Sequence, residues 1–475
     1  MVRACAGERA ILDGADPALL DPAGWTDEGG GIYSHAYAGR CFNASAEHVP
    51  SGKWTRLYPV ESLDALRTRR YRKTAFEKLH IEGAVFCDGT TAHVVLPGPR
   101  EEYRIRLSAH GRGIVLENRR FIYFDGLEFR NYGKDVYGCA AFLLNSSNIL
   151  FQHCRFIHNN TGIWVKNACF ENTVQDNEFL DDTARWSFNM VKSSYHAHIE
   201  SGAVYIEGRY SGRGMVIRRN KIAGLFDGAH LGPFIAIGGR TSETDFYRNR
   251  VHDVADDFVE TDGYSRNVRI FDNFMDKSLS GISLAQALDG PTFVLYNHIL
   301  NCGVCTATRD EGYEGYPFKT NGGAGHEVGS GHVFFYHNTA WTSDPRSHAI
   351  LIKSGTWRRL TFRNNIWCGK AHGFVAWPRK PLSPMDFDHD NLYVESNAPL
   401  MRLAGNCYAT LADVRRATPY LRNGFSLDPR FRDPAGGDFR LAPDSPLISK
   451  GILIPGINDR RFRGKAPDIG AVATR

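Results

Sequence analysis

Four acidic residues and one lysine near the middle of the chain have types and spacings suited to chemistry on a charged substrate. Asp227 stands seven residues after Asn220, and Asp256 stands seven residues after Asn249, each Asn lying in a similar short apolar phrase. If those phrases are turns of one repeat, the two carboxylates occupy equivalent sites on neighbouring turns. Asp257 adjoins, and Glu260 and Asp262 follow in ADDFVETDG (255–263), beside DGAHLG (227–232). Carboxylates about 5 Å apart repel by roughly 3 kcal/mol per pair at an effective dielectric near 20, so the cluster needs a cation, a shared proton or full solvation. A solvated Asp-Gly turn meets that need without any function. A calcium site of hard oxygen ligands meets it with one, as does a carboxylate pair supplying acid and base for glycoside hydrolysis.

The lysine enters through the same alignment. Nine residues after Asn249 and Asn273 lie Phe258 and Ile282, expected to point inward, and the matching residue of the next turn is Phe318 in GYPFKTNGG (315–323). Lys319 then points outward on the same strand face, two turns from Asp257 and about 10 Å away by strand spacing. Positive neighbours and partial burial would lower its pKa, as a general base requires. Strict alternation puts Glu260 on the inward side with Phe258 unless a turn begins at Val259. His230, His337 and Lys353 are candidates to protonate a leaving oxygen. Trp186, Tyr205, Tyr313 and Tyr316 offer aromatic faces for sugars in the excursions beside the acidic corner, with His337 as a further substrate contact.

The elements that must position these residues are written in the repeat. About six residues of apolar alternation, then Asn, then an apolar residue recur as VQDNEF (174–179), VIRRNKI (216–222), DFYRNRV (245–251), VRIFDNF (268–274), FVLYNHI (293–299), FFYHNTA (334–340) and LTFRNNI (360–366). The shared residues are Asn177, Asn220, Asn249, Asn273, Asn297, Asn338 and Asn365, and Gly126 and Cys154 take the Asn place in two earlier phrases. Such periods point to stacked coils. Enrichment in Val, Ile, Phe, Tyr and Thr with period-two alternation selects strands over helices. Asn side chains can hydrogen-bond up and down a ladder at the strand spacing of roughly 4.8 Å. The expected fold is all-β, a single-stranded parallel β-helix.

Its expected divisions are an N-terminal coil with a large inserted cap (1–107), the solenoid (108–396) and a C-terminal cap (397–475). The solenoid carries long excursions at 181–214 and 303–331, where binding surfaces are usually built. Two helices are expected, one within SLDALRTRRYRKTAFEKL (62–79) and a short one in TLADVRRATPY (410–420) capped by Thr410.

Composition bounds the rest. With 475 residues, 42% hydrophobic, and 48 glycines, the chain is a large folded protein, and the repeat overrides a multidomain reading by length. Fifty-seven basic against 52 acidic residues leave a net charge of +5, compatible with a polyanionic ligand but not diagnostic. No basic stripe with a recognised module suggests nucleic acid, and no apolar run reaches the roughly 18 residues of a membrane span. The ten cysteines form no dense framework; Cys302 and Cys305 have CxxC spacing without a second pair to complete a zinc site. Residues 1–20 lack a secretory pattern and read as the inside of a coil, so either the true start lies upstream or the first strand is an exposed edge. A monomer is expected.

The ending DPRFRDPAGGDFRLAPDSPLISKG followed by PDIGA resembles the C-terminal cap of bacterial right-handed parallel β-helix proteins of the pectate-lyase-like superfamily, many of which act on polysaccharides. The resemblance implies a right-handed coil and a secreted or periplasmic setting. The acidic set resembles the ninth family of pectate lyases. Carried over, Asp227, Asp256, Asp257 and Glu260 would be calcium ligands, and Lys319 the base that removes the proton beside a uronate carboxylate. Here the last acid is Glu rather than Asp, Phe258 replaces a glycine, and Thr320-Asn321 follow the lysine. Asp227 and Asp256-Asp257 also imitate the order of polygalacturonases, with Leu351-Ile352-Lys353 as a partial echo of their later motifs. Three functions stand as alternatives: calcium-assisted β-elimination on a uronate-containing polysaccharide, hydrolysis by the carboxylate cluster, or carbohydrate binding without catalysis.

Overall fold

Each coil is built from strands too short to stand alone, joined at corners that the sequence specifies. In a computed structural model, Val216–Arg218 is one such strand, Arg219 turns through a positive φ of 55°, Asn220 is buried, and Lys221–Ala223 continues the coil. The same left-handed residue precedes every ladder asparagine, as Asp176, Arg219, Arg248, Asp272, Tyr296, His337 and Asn364. Non-glycine residues in this region cost roughly 1–3 kcal/mol each, so each corner must be held in place by its neighbours. The Asn ladder holds it: Asn220 Nδ2 donates to Asn249 Oδ1 at 3.0 Å, and Asn249 Nδ2 to Asn273 Oδ1 at 3.2 Å. Each amide oxygen also accepts the backbone N–H of the preceding asparagine, as Asn249 Oδ1 does from Asn220 at 3.0 Å. The ladder runs unbroken from Asn177 to Asn365 and ends on a carboxylate, Asp390. Cys154 does occupy the ladder position, its N–H donating to Asn177 Oδ1 at 2.9 Å. Gly126 does not. Asp125 pairs with Gln152, which aligns Gly126 with left-handed His153 and Leu127 with Cys154; Gly126 takes the positive-φ place, where lack of a Cβ is an advantage.

The described residues are all but 6, 70–81, 136, 183–185, 193–198, 201, 209, 233–242, 285–289, 306–312, 320–331, 353–358, 378–384, 463 and 472–475. They form a parallel β-helix of three long sheets. Two sheets have 11 strands each, running from Val2–Arg3 to Asp386–Phe387 and from Ala10–Asp13 to Asn391–Val394. The third has eight, from Arg112–Glu117 to Tyr316–Lys319, and a four-stranded sheet from His348–Ile352 to Asn406–Tyr408 succeeds it. All pairings between successive coils are parallel, and Met401–Leu403 still pairs in parallel with Phe374–Ala376, so coil geometry extends past residue 396. The interior is one continuous apolar column; Phe129, Phe156 and Phe179 stack at 5.0 and 4.5 Å.

Val2–Arg3 and Ala10–Asp13 form the first coil, and a seven-stranded sheet spanning residues 26–107 is inserted before the coil resumes. This insert packs against the corner beside the third sheet: Arg56 Nη2 donates to Asn160 Oδ1 at 3.3 Å, and Trp54 stacks on His158 at 4.3 Å. The first helix is only Leu63–Thr68, capped by Ser62 and stopped at left-handed Arg69, with 70–81 outside the described residues. The second is Leu411–Ala417, with Thr410 and Asp413 forming a capping box.

Candidate active site

The third sheet places the charged residues, through a register that differs from the one the Asn spacing suggests. Asn220 and Asn249 are 29 residues apart, but Ala229 pairs with Val259 and His230 with Glu260, an offset of 30. One extra residue is taken up at the corner around left-handed Asp253, so Asp227 faces Asp257 rather than Asp256. The Asp257 N–H donates to Asp227 Oδ1 at 3.0 Å. Asp257 continues to Ser280 and Tyr316 across the sheet, while His230 and Glu260 continue to Ser283 and Lys319. The alternation problem at Glu260 is resolved because Phe258 and Val259 both enter the central core. That three-residue spacing returns Glu260 to the outer side with Asp257.

Around this frame, the site is densely charged and nearly dry. Asp227, Asp256, Asp257 and Glu260 are each at most 4% exposed. One oxygen from each of Asp227, Asp256 and Asp257 lies within 4.8 Å of the other two, and so does one from each of Glu200, Asp227 and Glu260. Two lysines lie among them. Lys319 Nζ contacts Asp257 Oδ2 closely and stands 3.7 Å from Asp256 Oδ1, its side chain reaching back over the intervening strand. Lys192 Nζ is 2.8 Å from Asp256 Oδ2 and also contacts Glu200 Oε1. The Ser280 hydroxyl donates to Asp257 Oδ1, and Ser283 to Asp262 Oδ1 at 2.7 Å.

These five carboxylates, Asp262 beside them and two ammoniums cannot all be ionised without cost in so little water. Burial, then repulsion from Asp256, raises Asp227 well above the carboxylate range. Burial, then Asp227, does the same to Glu260. Burial and Asp256 also raise Asp257, against the opposing pull of Lys319. Asp262 is pushed up to about 7, chiefly by burial. Burial alone would lower Lys319, but Asp256 and Asp257 outweigh it and hold the lysine protonated. This corrects the expectation of a base with a lowered pKa: its nearest neighbours are carboxylates, not cations. Burial lowers His230 to about 3, leaving a neutral imidazole with Nε2 3.5 Å from Glu260 Oε2 and its ring stacked on Tyr205 at 4.4 Å.

The donor set fits a hard divalent cation. It is all oxygen, and Asp227 Oδ2 is a buried carboxylate oxygen with no hydrogen-bond donor among the described residues.

The remaining candidates divide between this sheet and other parts of the coil. Trp186 is 1% exposed, packed between the Arg56 guanidinium at 4.0 Å and Phe226 at 5.6 Å, so it fastens the 181–214 excursion and presents no ring face to a sugar. His337 lies at a ladder corner on another face, stacked on Tyr296 at 4.9 Å, with its Nε2 met by the Asn364 and Asn458 amides. Tyr205 is in the outer row, buried between Trp164 and His230. Tyr316 is buried on the same sheet beside Leu351 and Val375. The Tyr313 hydroxyl donates to Asn189 Oδ1 at 2.7 Å, joining the two excursions. Lys353 and Thr320-Asn321 lie outside the described residues. Lys192 and Glu200 are not marked by the repeat; the 181–214 stretch expected as one excursion contains the third-sheet strand Gly202–Glu207, and Glu200 lies just before it.

No family model and no curated protein matches the chain. Among solved structures, a complex of XylC with xylose is 10% identical over 77% of this chain and 65% of that one, with a TM-score of 0.46. An exopolygalacturonase from Thermotoga maritima is 12% identical over 49% of this chain and 50% of that one, TM-score 0.36. The tailspike of E. coli bacteriophage HK620 in complex with a pentasaccharide is 13% identical over 63% of this chain and 58% of that one, TM-score 0.39. The chain spans between half and two thirds of the length of these structures.

Proposed function

We propose that the protein is a carbohydrate-active enzyme that cleaves an acidic, uronate-containing polysaccharide by β-elimination at the Asp227–Lys319 site. The observation that supports this most is the meeting of Lys192 and Lys319 with five carboxylates on the outer face of one sheet, where a solenoid needs no charge for its own folding. The ammoniums of Lys192 and Lys319 suit the carboxylate of a uronate. A hard cation such as Ca2+, held by the cluster around Asp227, would when bound neutralise that carboxylate and ease ionisation of the adjacent C–H. Lys319 is the base in this reading, acting once it is released from Asp256 and Asp257 and can give up its own proton. The neutral His230 imidazole is a candidate to relay a proton to the leaving oxygen.

One observation favours glycoside hydrolysis as a second reading. Asp257 takes Ser280 and Lys319 as donors, which oppose the rise that burial and Asp256 impose on it, while Asp227 and Glu260 are pushed well above the carboxylate range, so the cluster offers carboxyls in unlike environments for the roles of base and acid. Incubation with a panel of acidic polysaccharides separates the two. Elimination yields unsaturated uronates with an ultraviolet band, hydrolysis yields reducing ends without it, and a protein that only binds yields neither. A secreted or periplasmic site of action is part of the proposal. No helix among the described residues is long and apolar enough to cross a membrane.

A further inference from the structure

We infer that the cation belongs to Glu200, Asp227 and Glu260, and not to the Asp256–Asp257 pair that the spacing of acids along the chain singles out. The inference deepens the proposed function and rests on it for what the cation does, though not for where it binds. The oxygens of Asp256 and Asp257 are already engaged. Asp256 meets Lys319 through Oδ1 and Lys192 through Oδ2; Asp257 meets Ser280 through Oδ1 and Lys319 through Oδ2. A cation there would have to displace two ammoniums from a buried site.

The other triad is less engaged: its ammonium contact among the described residues is that of Lys192 with Glu200 Oε1, so a cation there displaces one ammonium from one oxygen. Asp227 is 1% exposed and Glu260 4%, and among the described residues neither Asp227 Oδ2 nor Glu260 Oε2 has a hydrogen-bond donor. Among the described residues, the Nε2 of the His230 ring lies 3.5 Å from Glu260 Oε2. These two oxygens belong to adjacent strands of the sheet, so their positions are fixed by backbone pairing. Glu200 completes the triad, with one oxygen of each residue within 4.8 Å of the other two. It stands just before Gly202–Glu207, a strand of the third sheet whose Gly202 pairs with Asp227, so backbone pairing brings it to the site as well. The three ligands of the triad are all carboxylates, a hard oxygen donor set that suits Ca2+. With the cation at Asp227 and Glu260, Lys319 keeps its contacts with Asp256 and Asp257 in the free protein, and Lys192 keeps Asp256 while giving up Glu200.

Calcium titration calorimetry on the full chain tests this, with Glu200→Gln, Glu200→Asp and Asp256→Asn as variants. Melting temperatures in chelator check that each variant folds. Wild type should bind calcium, Glu200→Gln and Glu200→Asp should each weaken binding by about tenfold or more, and Asp256→Asn should stay within about threefold of wild type. Glu200→Asp keeps the charge while retracting the carboxylate, so its loss reports coordination and not net charge. Wild-type affinity in both Glu200 variants, loss of binding confined to Asp256→Asn, or no calcium binding by wild type would each overturn the assignment. Glycan cleavage is scored separately: cleavage without calcium binding removes this inference and leaves the enzymatic reading, and calcium binding at Glu200 without cleavage does the reverse.

Discussion

Replacing Asp390 with Asn should stabilise the protein at neutral and alkaline pH and leave it unchanged in acid. Asp390 closes the Asn ladder, its Oδ1 accepting from Asn365 N–H at 2.6 Å and Asn365 Nδ2 at 3.0 Å, with Trp367 Nε1 at 3.4 Å from Oδ2. It is completely buried, and burial outweighs these donors to push its carboxyl up to about 8 from 3.8. The folded state therefore holds a proton that the unfolded chain releases across the window between those two values. Stability falls as pH rises through that window, by at most about 1.4 kcal/mol per unit, for a ceiling of ~4 kcal/mol at pH 7. Below the unfolded value both states are protonated and the penalty vanishes. An asparagine keeps the oxygen that serves both Asn365 donors and carries no charge to suppress, at the expense of the long Trp367 contact. Urea unfolding of wild type and Asp390→Asn at about pH 4, 7 and 9 should give midpoints that coincide in acid and separate by an amount equivalent to about 2–4 kcal/mol at neutral pH. Midpoints that run parallel across the series would refute the argument, because the other raised carboxyls, Asp227 and Glu260, are common to both proteins.

Three further outcomes are expected from the same geometry. Asn249→Ala orphans two buried donors, the N–H and Nδ2 of Asn220, and should cost about 2–5 kcal/mol in denaturant unfolding without touching the charged site. Trp186→Ala should lower stability by about 3–5 kcal/mol, with the loss visible in thermal melting before any substrate is added, since the ring is core and not platform. Lys319→Met should reduce turnover by about 10²–10⁴-fold in steady-state assays of glycan cleavage while glycan still binds, as expected for a group acting on a proton.

The architecture is legible because it is periodic. Seven asparagines at a corner and period-two alternation can be counted directly, and stacking them needs no knowledge of the loops between. The ladder's C-terminal member escapes the pattern because Asp390 carries a different side chain, and Gly126 is misplaced by it because a left-handed corner and an Asn corner stand one residue apart. The acidic residues are legible as a set, but their register is off by one: an extra residue at the Asp253 corner changes which carboxylate faces Asp227, and only backbone pairing reveals it. Lys192 and Glu200 cannot be read from the repeat at all. Lys192 arrives from a non-periodic segment beside Trp186, and Glu200 stands just before Gly202–Glu207, a third-sheet strand that a long insertion separates from its asparagine phrase. The protonation of Lys319 is hidden for the same reason, since its charge depends on how many carboxylates surround it in space.

The central claim is that this charged face breaks an acidic glycan by elimination. Ultraviolet absorbance of unsaturated uronates, monitored during incubation with acidic polysaccharides in calcium and in chelator, tests it directly. A rise on at least one substrate, dependent on calcium and lost in Lys319→Met, is the expected result. Reducing ends appearing on such a substrate without that absorbance would contradict elimination and make the carboxylate cluster a hydrolase acid/base pair.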